Sequence, residues 1–198
     1  MKRDNLVCGD VQPEVGETWH FLLKTDYRVS TSDAEKSREV VRSGEPVYSP
    51  PLSGEITSIS SHEHPGGTEY SGVTVDGYSF KVGLGECADI GKHAIEFFGA
   101  TWSSLAPAAM NKCAAAKGYL DSIGEPTILA EYDVNAHFDL FLHHYGKLLE
   151  RRVVDSPVPL TVVDGEDYIL GEPQEEETLA EVKDLKIFKP SLTIPLLK

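Results

Sequence analysis

Basic residues are scarce in this chain of 198 residues. It has 18 Lys and Arg against 32 Asp and Glu, which gives a formal net charge of −14. A nucleic-acid-binding surface needs clustered positive charge, and so does docking on an anionic membrane. The charge balance therefore predicts that neither a nucleic acid nor a membrane is the partner.

Long apolar runs and cysteine patterns are absent as well. No apolar run approaches the roughly 18–20 residues of a membrane-spanning helix, and residues 1–10, MKRDNLVCGD, lack the apolar region of a secretory signal. The three cysteines, Cys8, Cys87 and Cys113, are too few and too widely spaced for a disulfide framework or a CxxC metal site. These features predict a cytoplasmic protein, or part of a particle that assembles inside a cell, with reduced thiols.

The first half of the chain has the pattern of a β-protein. Residues 17–30 are rich in aromatic and β-branched residues, which favour strands. Between residues 45 and 85, glycine and proline interrupt short alternating runs such as EITSIS and GVTVDGYSFKV. Short strands joined by tight turns are typical of sandwiches and small barrels. We therefore expect a β-rich domain over residues 1–100.

An alanine-rich segment after Gly99 predicts a first helix. Ser103 or Ser104 is the expected N-cap, and the helix is expected to run to about Ser122. Proline is tolerated in the first turn of a helix and glycine commonly follows its end. Pro107 and Gly124 occupy those two places.

A second helix is predicted from about residue 135 to residue 152, because apolar residues recur there at the spacing of one helix face. We expect this helix to bury Phe138, Leu142, Tyr145 and Leu149. Residues 158–170 predict a hairpin around an Asp164-Gly165 turn. The expected fold is therefore α+β: a compact β-sandwich or barrel, followed over residues 101–170 by two helices and a hairpin packed on it.

The last segment, residues 171–198, divides into an acidic part and an apolar part. Between Asp164 and Asp184 there are nine carboxylates and one lysine, which is typical of a solvated linker. The apolar arm that follows is punctuated by proline. Large apolar side chains at the end of a solvated spacer suit docking on a protein partner or on a second copy of the chain. The candidate partner-binding residues are Leu185, Ile187, Phe188, Leu192 and Ile194.

Residues 46–77, PVYSPPLSGEITSISSHEHPGGTEYSGVTVDG, carry a recognisable pattern. A V-x-S-P run, an S-G-x-I-x-x-I run, an H-P-x-G turn and a final D-G resemble one segment of RnfC subunits of Rnf electron-transport complexes and of NqrA subunits of sodium-pumping quinone reductases. In those families the segment is half of a barrel-sandwich hybrid, and the resemblance implies a local β-structure of that kind. The chain lacks the flavin, iron–sulfur and lipoyl-lysine regions of the related proteins. We expect Gly54 in a tight turn, with Ile56 and Ile59 packed inward.

A second resemblance concerns histidines. His62, His64, Glu69 and Gly77 read H-x-H-x4-E-x7-G, which resembles the first motif of cupins. In cupins two histidines and a glutamate, with a histidine further on, hold iron, manganese, nickel or zinc. The resemblance implies one divalent transition metal at His62, His64, Glu69 and His93. The second cupin motif is imperfect around His93, because its proline and final asparagine are missing.

These observations leave three functional hypotheses. No G-x-S-x-G elbow, P-loop or G-x-G-x-x-G fingerprint occurs. That favours a non-enzymatic structural or interaction protein without a cofactor, either an accessory subunit of a larger assembly or a virion component. The alternative is a cupin-like metal-dependent enzyme that uses the four residues above. The third is an acidic inhibitor that mimics nucleic acid.

Overall fold

The computed structural model describes residues 11–24, 51–61, 67–151 and 158–171. Within these ranges the chain forms an α+β fold with a five-stranded and a four-stranded sheet, which confirms the predicted class. Neither sheet closes into a barrel over the ranges described. No helix in them is long and apolar enough to cross a membrane.

Among the described residues, strands and helices alternate after residue 92. A short 3-10 turn, Leu84–Glu86, joins the fourth and fifth strands. In chain order the elements are β1 (Thr18–Leu23), β2 (Leu52–Ser61), β3 (Thr68–Val73), β4 (Ser79–Gly83), β5 (Cys87–Gly91), β6 (His93–Gly99), α1 (Ala106–Ser122), β7 (Thr127–Asp133), α2 (Phe138–Arg151), β8 (Leu160–Val163) and β9 (Asp167–Leu170).

The first sheet is antiparallel and has the strand order β4-β3-β2-β1-β5. Alternate side chains of its strands bury one face, as a half-buried strand requires. Trp19 and Phe21 of β1 lie at the centre of this apolar cluster. The Phe21 ring centroid is 5.7 Å from the rings of both Tyr70 and Phe80. The residues of this cluster come from the strands of the first sheet and from the segments next to them, and none comes from α1 or α2.

The expected tight turn at Gly54 is wrong. Gly54 lies inside β2, opposite Trp19. A Cβ atom there would come within 2.5 Å of the Val73 carbonyl oxygen, so glycine is needed for the close approach of two strands. Ile56 is fully buried, as predicted, but Ile59 is 39% exposed. β2 continues past the buried cluster at that end, and its residues from 57 onwards are exposed.

The second sheet has the order β7-β6-β8-β9, with β6 and β7 parallel and connected by α1. Helices cover both of its faces. Small side chains of α1, among them Ala109 and Ala116, pack against Ile95 and Phe97. α2 packs on the opposite face, in the cluster that contains Phe98. The strand β6 precedes residue 100 but belongs to this second sheet rather than to the first.

The ends of α1 follow the sequence signals with one difference. The helix ends at Ser122 and Gly124 has a φ of 84°, so glycine takes the left-handed conformation that commonly follows a helix. Pro107 lies in the first turn, as expected. The prediction of a serine N-cap is wrong: Leu105 occupies that position, without a side-chain hydrogen bond.

α2 occupies the predicted segment but presents a different face to the core. Phe141 and Leu148 are buried, whereas Phe138 is 53% and Leu142 is 42% exposed. Tyr145 is half-buried, and the side chain of Leu149 lies outside the described part. The predicted burial of Phe138 and Leu142 is therefore wrong.

The predicted hairpin is confirmed. Strands β8 and β9 pair antiparallel and are joined by a turn at Asp164 and Gly165, whose φ values are 51° and 75°. Glycine adopts such angles freely, and aspartate is one of the few other residues that tolerates them. This turn brings the Asp164 side chain to the start of β6.

The two sheets meet where β5 passes into β6 at Lys92. A Cβ atom on Gly91 would lie 2.7 Å from the Pro126 carbonyl oxygen and 2.9 Å from the Ile128 backbone nitrogen. Leu22 of β1 packs against the apolar cluster that lies between α2 and the second sheet and contains Phe98. We call this region the sheet junction.

Candidate functional site

A groove of about 450 Å³ opens at the sheet junction. Its lining comes from both sheets and from the β8–β9 turn, and we call it the junction groove. Volumes of roughly 300–1,000 Å³ are typical of small-molecule sites. Among its lining residues are His20, Ser53, Lys92, His93, Asp164 and Glu166.

The Asp164 carboxylate connects the elements of this groove. Its Oδ1 accepts a hydrogen bond of 2.7 Å from the Ala94 backbone N–H and lies 3.3 Å from Nε2 of His20. Its Oδ2 lies 3.0 Å from Nδ1 of His93. The backbone N–H of Asp164 donates in turn to the Ala94 carbonyl oxygen at 2.8 Å. One carboxylate, 8% exposed, thus forms a hydrogen bond with His93 of the second sheet and lies within 3.3 Å of His20 of the first sheet.

His20 is the more deeply buried of the two imidazoles. Its neighbours in sequence, Trp19 and Phe21, point into the first apolar cluster, so His20 faces the sheet junction. Only 5% of His20 is exposed. Burial lowers the pKa of His20 from its ordinary value of 6.5, although the charge of Asp164 acts in the opposite direction. The imidazole is therefore neutral near pH 7.

A buried neutral histidine should make the fold less stable in acid. Below pH 6.5 the unfolded chain binds a proton at His20, whereas the folded protein, in which the pKa of His20 is lower, binds it only at a lower pH. We expect the free energy of unfolding to fall as the pH drops below that value, by up to about 1.4 kcal/mol per pH unit for one proton. Urea unfolding between pH 7 and pH 5 measures it.

His20→Gln should remove this part of the pH dependence. The matched control is His143→Gln, which removes an exposed imidazole from α2 and should keep the slope of the unchanged protein. Equal slopes in His20→Gln and the unchanged protein would contradict the assignment of a buried neutral imidazole at His20.

A salt bridge fixes another part of the groove wall. Nζ of Lys92 lies 3.3 Å from Oε1 of Glu17, and Nε1 of Trp19 donates a hydrogen bond of 2.8 Å to Oε2 of the same carboxylate. The hydrogen bond from Trp19 is the main cause that lowers the pKa of Glu17. The pair ties the chain before β1 to the β5–β6 connection.

A buried polar pair lies behind the groove. Oε2 of Glu96 on β6 is 3.4 Å from Nε2 of His144 on α2, and both side chains are 3% exposed. Neither of these atoms, nor Nδ1 of His144, has a hydrogen-bond partner among the described residues. The charge of Glu96 also reaches His20, where it opposes the lowering of the pKa by burial. Polar groups therefore extend from the groove to the underside of α2.

The predicted cupin-like residues are not all within the described part of the chain. His62 and His64 lie outside it. Glu69, on β3 of the first sheet, is 2.6 Å from Nζ of Lys81, and His93, on the second sheet, is held by Asp164. The described residues contain no group of three or more His, Cys, Asp or Glu arranged to hold a metal ion. The metal site stays a prediction.

The predicted partner-binding arm also lies outside the described residues. This applies to all five of its candidate residues, Leu185, Ile187, Phe188, Leu192 and Ile194. Their role in binding a partner stays a prediction.

The sequence patterns do not point to His20, Ser53 or Asp164 as site residues. One local signal was available: His20 is a polar residue inside the apolar run TWHFLL, where a strand with a single buried face is expected to alternate. Asp164 is recognisable as a turn residue, but nothing near it in sequence indicates that its carboxylate meets histidines of two other strands.

Comparison with known proteins identifies no relative of this chain. The chain matches no protein-family model, and no curated protein is similar enough to it to count as a match.

Proposed function

We propose that this protein is an interaction protein that binds a small polar ligand in the junction groove. The observation that carries the proposal is the cluster of three polar residues that line the groove, in which the Asp164 carboxylate, 8% exposed, lies 3.3 Å from His20 and 3.0 Å from His93. Ligand sites combine a concave surface with a few convergent polar groups. The junction groove has both features.

The position of the His20 imidazole and the Asp164 carboxylate in the groove supports a binding role over a purely structural one. Burying an imidazole and a carboxylate costs free energy unless each finds partners. An apolar contact between the sheets, like the one that Leu22 makes, would join them without that cost. Perturbed ionisable groups in a concave site are typical of functional sites, and His20 is such a group.

The broader expectations from the sequence remain proposals. They are membership of a larger assembly, a protein partner or self-assembly through residues 185–197, and a cytoplasmic location. The barrel-sandwich-hybrid and cupin-like interpretations of residues 46–77 remain proposals too, because residues 46–50 and 62–66 lie outside the described part. The groove proposal does not depend on any of them.

A groove-blocking variant tests the proposal. Ser53 lines the groove, so Ser53→Trp should fill it. Ligand-observed NMR is recorded with a mixture of small fragments that carry ammonium, carboxylate, phosphate or sugar groups. We expect at least one fragment class to bind the unchanged protein and to lose its saturation-transfer signal in Ser53→Trp.

Ser58→Trp is the matched control, because Ser58 is an exposed serine on the same strand and does not line the groove. It should bind fragments like the unchanged protein. Circular dichroism establishes that both variants are folded. Binding that survives in Ser53→Trp, or no binding of any fragment class to the unchanged protein, would contradict the proposal.

A further inference from the structure

The outer face of α1 is uncharged, although the chain has a net charge of −14. Over residues 106–122, all of them described, the charged side chains of Lys112, Lys117 and Asp121 are half-buried. The outer face of a surface helix normally carries charged and polar residues. Apart from Tyr119, the exposed residues of α1 are Pro107, Asn111, Ala114, Ala115, Gly118 and Ser122.

Large apolar side chains are exposed at both ends of this helix. Trp102, which is 66% exposed, and Leu105 come just before α1, and Tyr119 and Ile123 are exposed at its other end. Leu105 and Tyr119 are separated by nearly four helical turns, so they lie on one face of the helix. Exposed aromatic and aliphatic side chains without intervening charge are typical of the core of an interface. We call this surface, from Trp102 to Ile123, the α1 face.

The exposed face of α2 is less suited to an apolar contact. It also exposes two large apolar side chains, Phe138 and Leu142. Exposed Asp139, His143 and Lys147 lie among them on the same helix, and charge is depleted at the core of interfaces. The α1 face is therefore the better docking surface of the two.

The described part of the chain ends close to the start of α1. Leu170, at the end of β9, pairs with Leu160 of β8, which pairs with Phe98 of β6. The next residue, Gly171, donates a hydrogen bond of 2.9 Å from its backbone N–H to the Pro159 carbonyl oxygen. β9 and β6 thus end at the same edge of the sheet, about 10 Å apart across β8. Because β6 leads into α1, residue 172 starts near the first turn of that helix.

The length of the following segment matches this distance. The acidic spacer, residues 172–184, has 13 residues and can span at most about 43–47 Å when fully extended. The 17 residues of α1 make a helix about 25 Å long. The apolar arm, residues 185–197, can therefore reach every part of the α1 face of its own chain. A short tether of this kind keeps the arm at a local concentration in the millimolar range, which favours the same chain over a second copy.

The composition of the apolar arm suits the α1 face. The arm contains seven large apolar residues and no Asp or Glu, so its chemistry matches an uncharged apolar surface. Pro190 and Pro195 are incompatible with a continuous helix, and an extended segment of about eight residues already has the length of α1.

We propose that residues 185–197 dock along the α1 face of the same chain and cover Trp102, Leu105 and Tyr119. Docking removes apolar side chains of both surfaces from water, which is favourable. The contact goes beyond the proposed function, because the α1 face shares no residue with the junction groove.

Photo-crosslinking of the full chain tests the contact. The photoreactive residue p-benzoylphenylalanine takes the place of Phe188, and after irradiation the adduct is mapped by mass spectrometry. We expect an adduct within one chain, between position 188 and residues 102–123. Leu105→Asp should cause its loss, because a charge on the α1 face repels the arm. Leu142→Asp is the matched control, since it places the same charge on an exposed leucine of α2, and should leave the adduct unchanged.

An adduct that joins two chains, an adduct with another part of the chain, or no adduct would overturn the proposal. Equal adduct yields in Leu105→Asp and Leu142→Asp would do the same.

Tryptophan fluorescence gives a second measurement on the full chain. Of the two tryptophans, Trp19 is fully buried and Trp102 is exposed on the α1 face, so quenching by acrylamide reports on Trp102. Phe188→Asp should release the arm and increase the quenching, whereas Thr178→Asp, in the acidic spacer, should not. Equal quenching in Phe188→Asp and the unchanged protein would contradict docking on the α1 face.

Discussion

Replacing Phe141 by alanine is expected to lower the free energy of unfolding by about 3–5 kcal/mol. Phe141 is 4% exposed and lies in the cluster between α2 and the second sheet. Its ring centroid is 6.1 Å from that of Phe98 and 5.6 Å from that of Tyr145. Truncation would leave a cavity between helix and sheet that these rings cannot fill without moving. Equilibrium unfolding in urea measures the loss.

Phe138→Ala is the matched control, because it removes the same atoms one turn earlier on the same helix. Phe138 is 53% exposed, so its truncation should cost less than about 1 kcal/mol. Its ring lies 6.4 Å from that of Phe141, which is a contact at the edge of the cluster rather than inside it. Equal losses in the two variants would mean that the face α2 presents to the sheet is assigned incorrectly.

The difference between these two phenylalanines shows what periodicity predicts and what it does not. Apolar residues at helical spacing predict that residues 138–151 form a helix, and they do. They do not predict its rotation, because the buried face includes His144, which is 3% exposed. A prediction that buries only apolar residues places His144 on the exposed face of the helix, although it is buried. His144 faces Glu96 of β6, at 3.4 Å between Nε2 and Oε2, and this contact between polar residues is distant in sequence and invisible to the periodicity.

The junction groove depends on contacts that are distant in sequence. Asp164 is separated by 144 residues from His20 and by 71 from His93. The spacing patterns used to recognise metal or catalytic motifs compare residues that are close in sequence, as in His62 and His64. The Asp164-Gly165 turn itself was predictable, because turn chemistry is local. The side chains that the turn brings together were not, because they depend on how the two sheets pack.

Replacing Asp164 by alanine is expected to destabilise the fold by about 3–5 kcal/mol, because each buried donor that loses its acceptor costs about 1–3 kcal/mol. The change leaves the Ala94 N–H and the imidazole of His93 without their acceptor and removes the carboxylate that lies 3.3 Å from His20. It also places alanine at a φ of 51°, a conformation that costs a residue with a Cβ about 1–2 kcal/mol. Because Asp164 joins β6, β1 and the β8–β9 turn, the loss falls on the sheet junction. Thermal and urea unfolding measure it.

Asp164→Asn separates the charge from the turn geometry. Asparagine tolerates a positive φ, and its amide oxygen can still accept from the Ala94 N–H, so the loss should be smaller than in Asp164→Ala. Glu166→Ala changes an exposed carboxylate of the same turn and should cost less than about 1 kcal/mol. The expected order of stability is Glu166→Ala, then Asp164→Asn, then Asp164→Ala. If Asp164→Ala were no less stable than Glu166→Ala, the carboxylate would not hold the two sheets together, because its buried hydrogen bonds would then contribute nothing to folding.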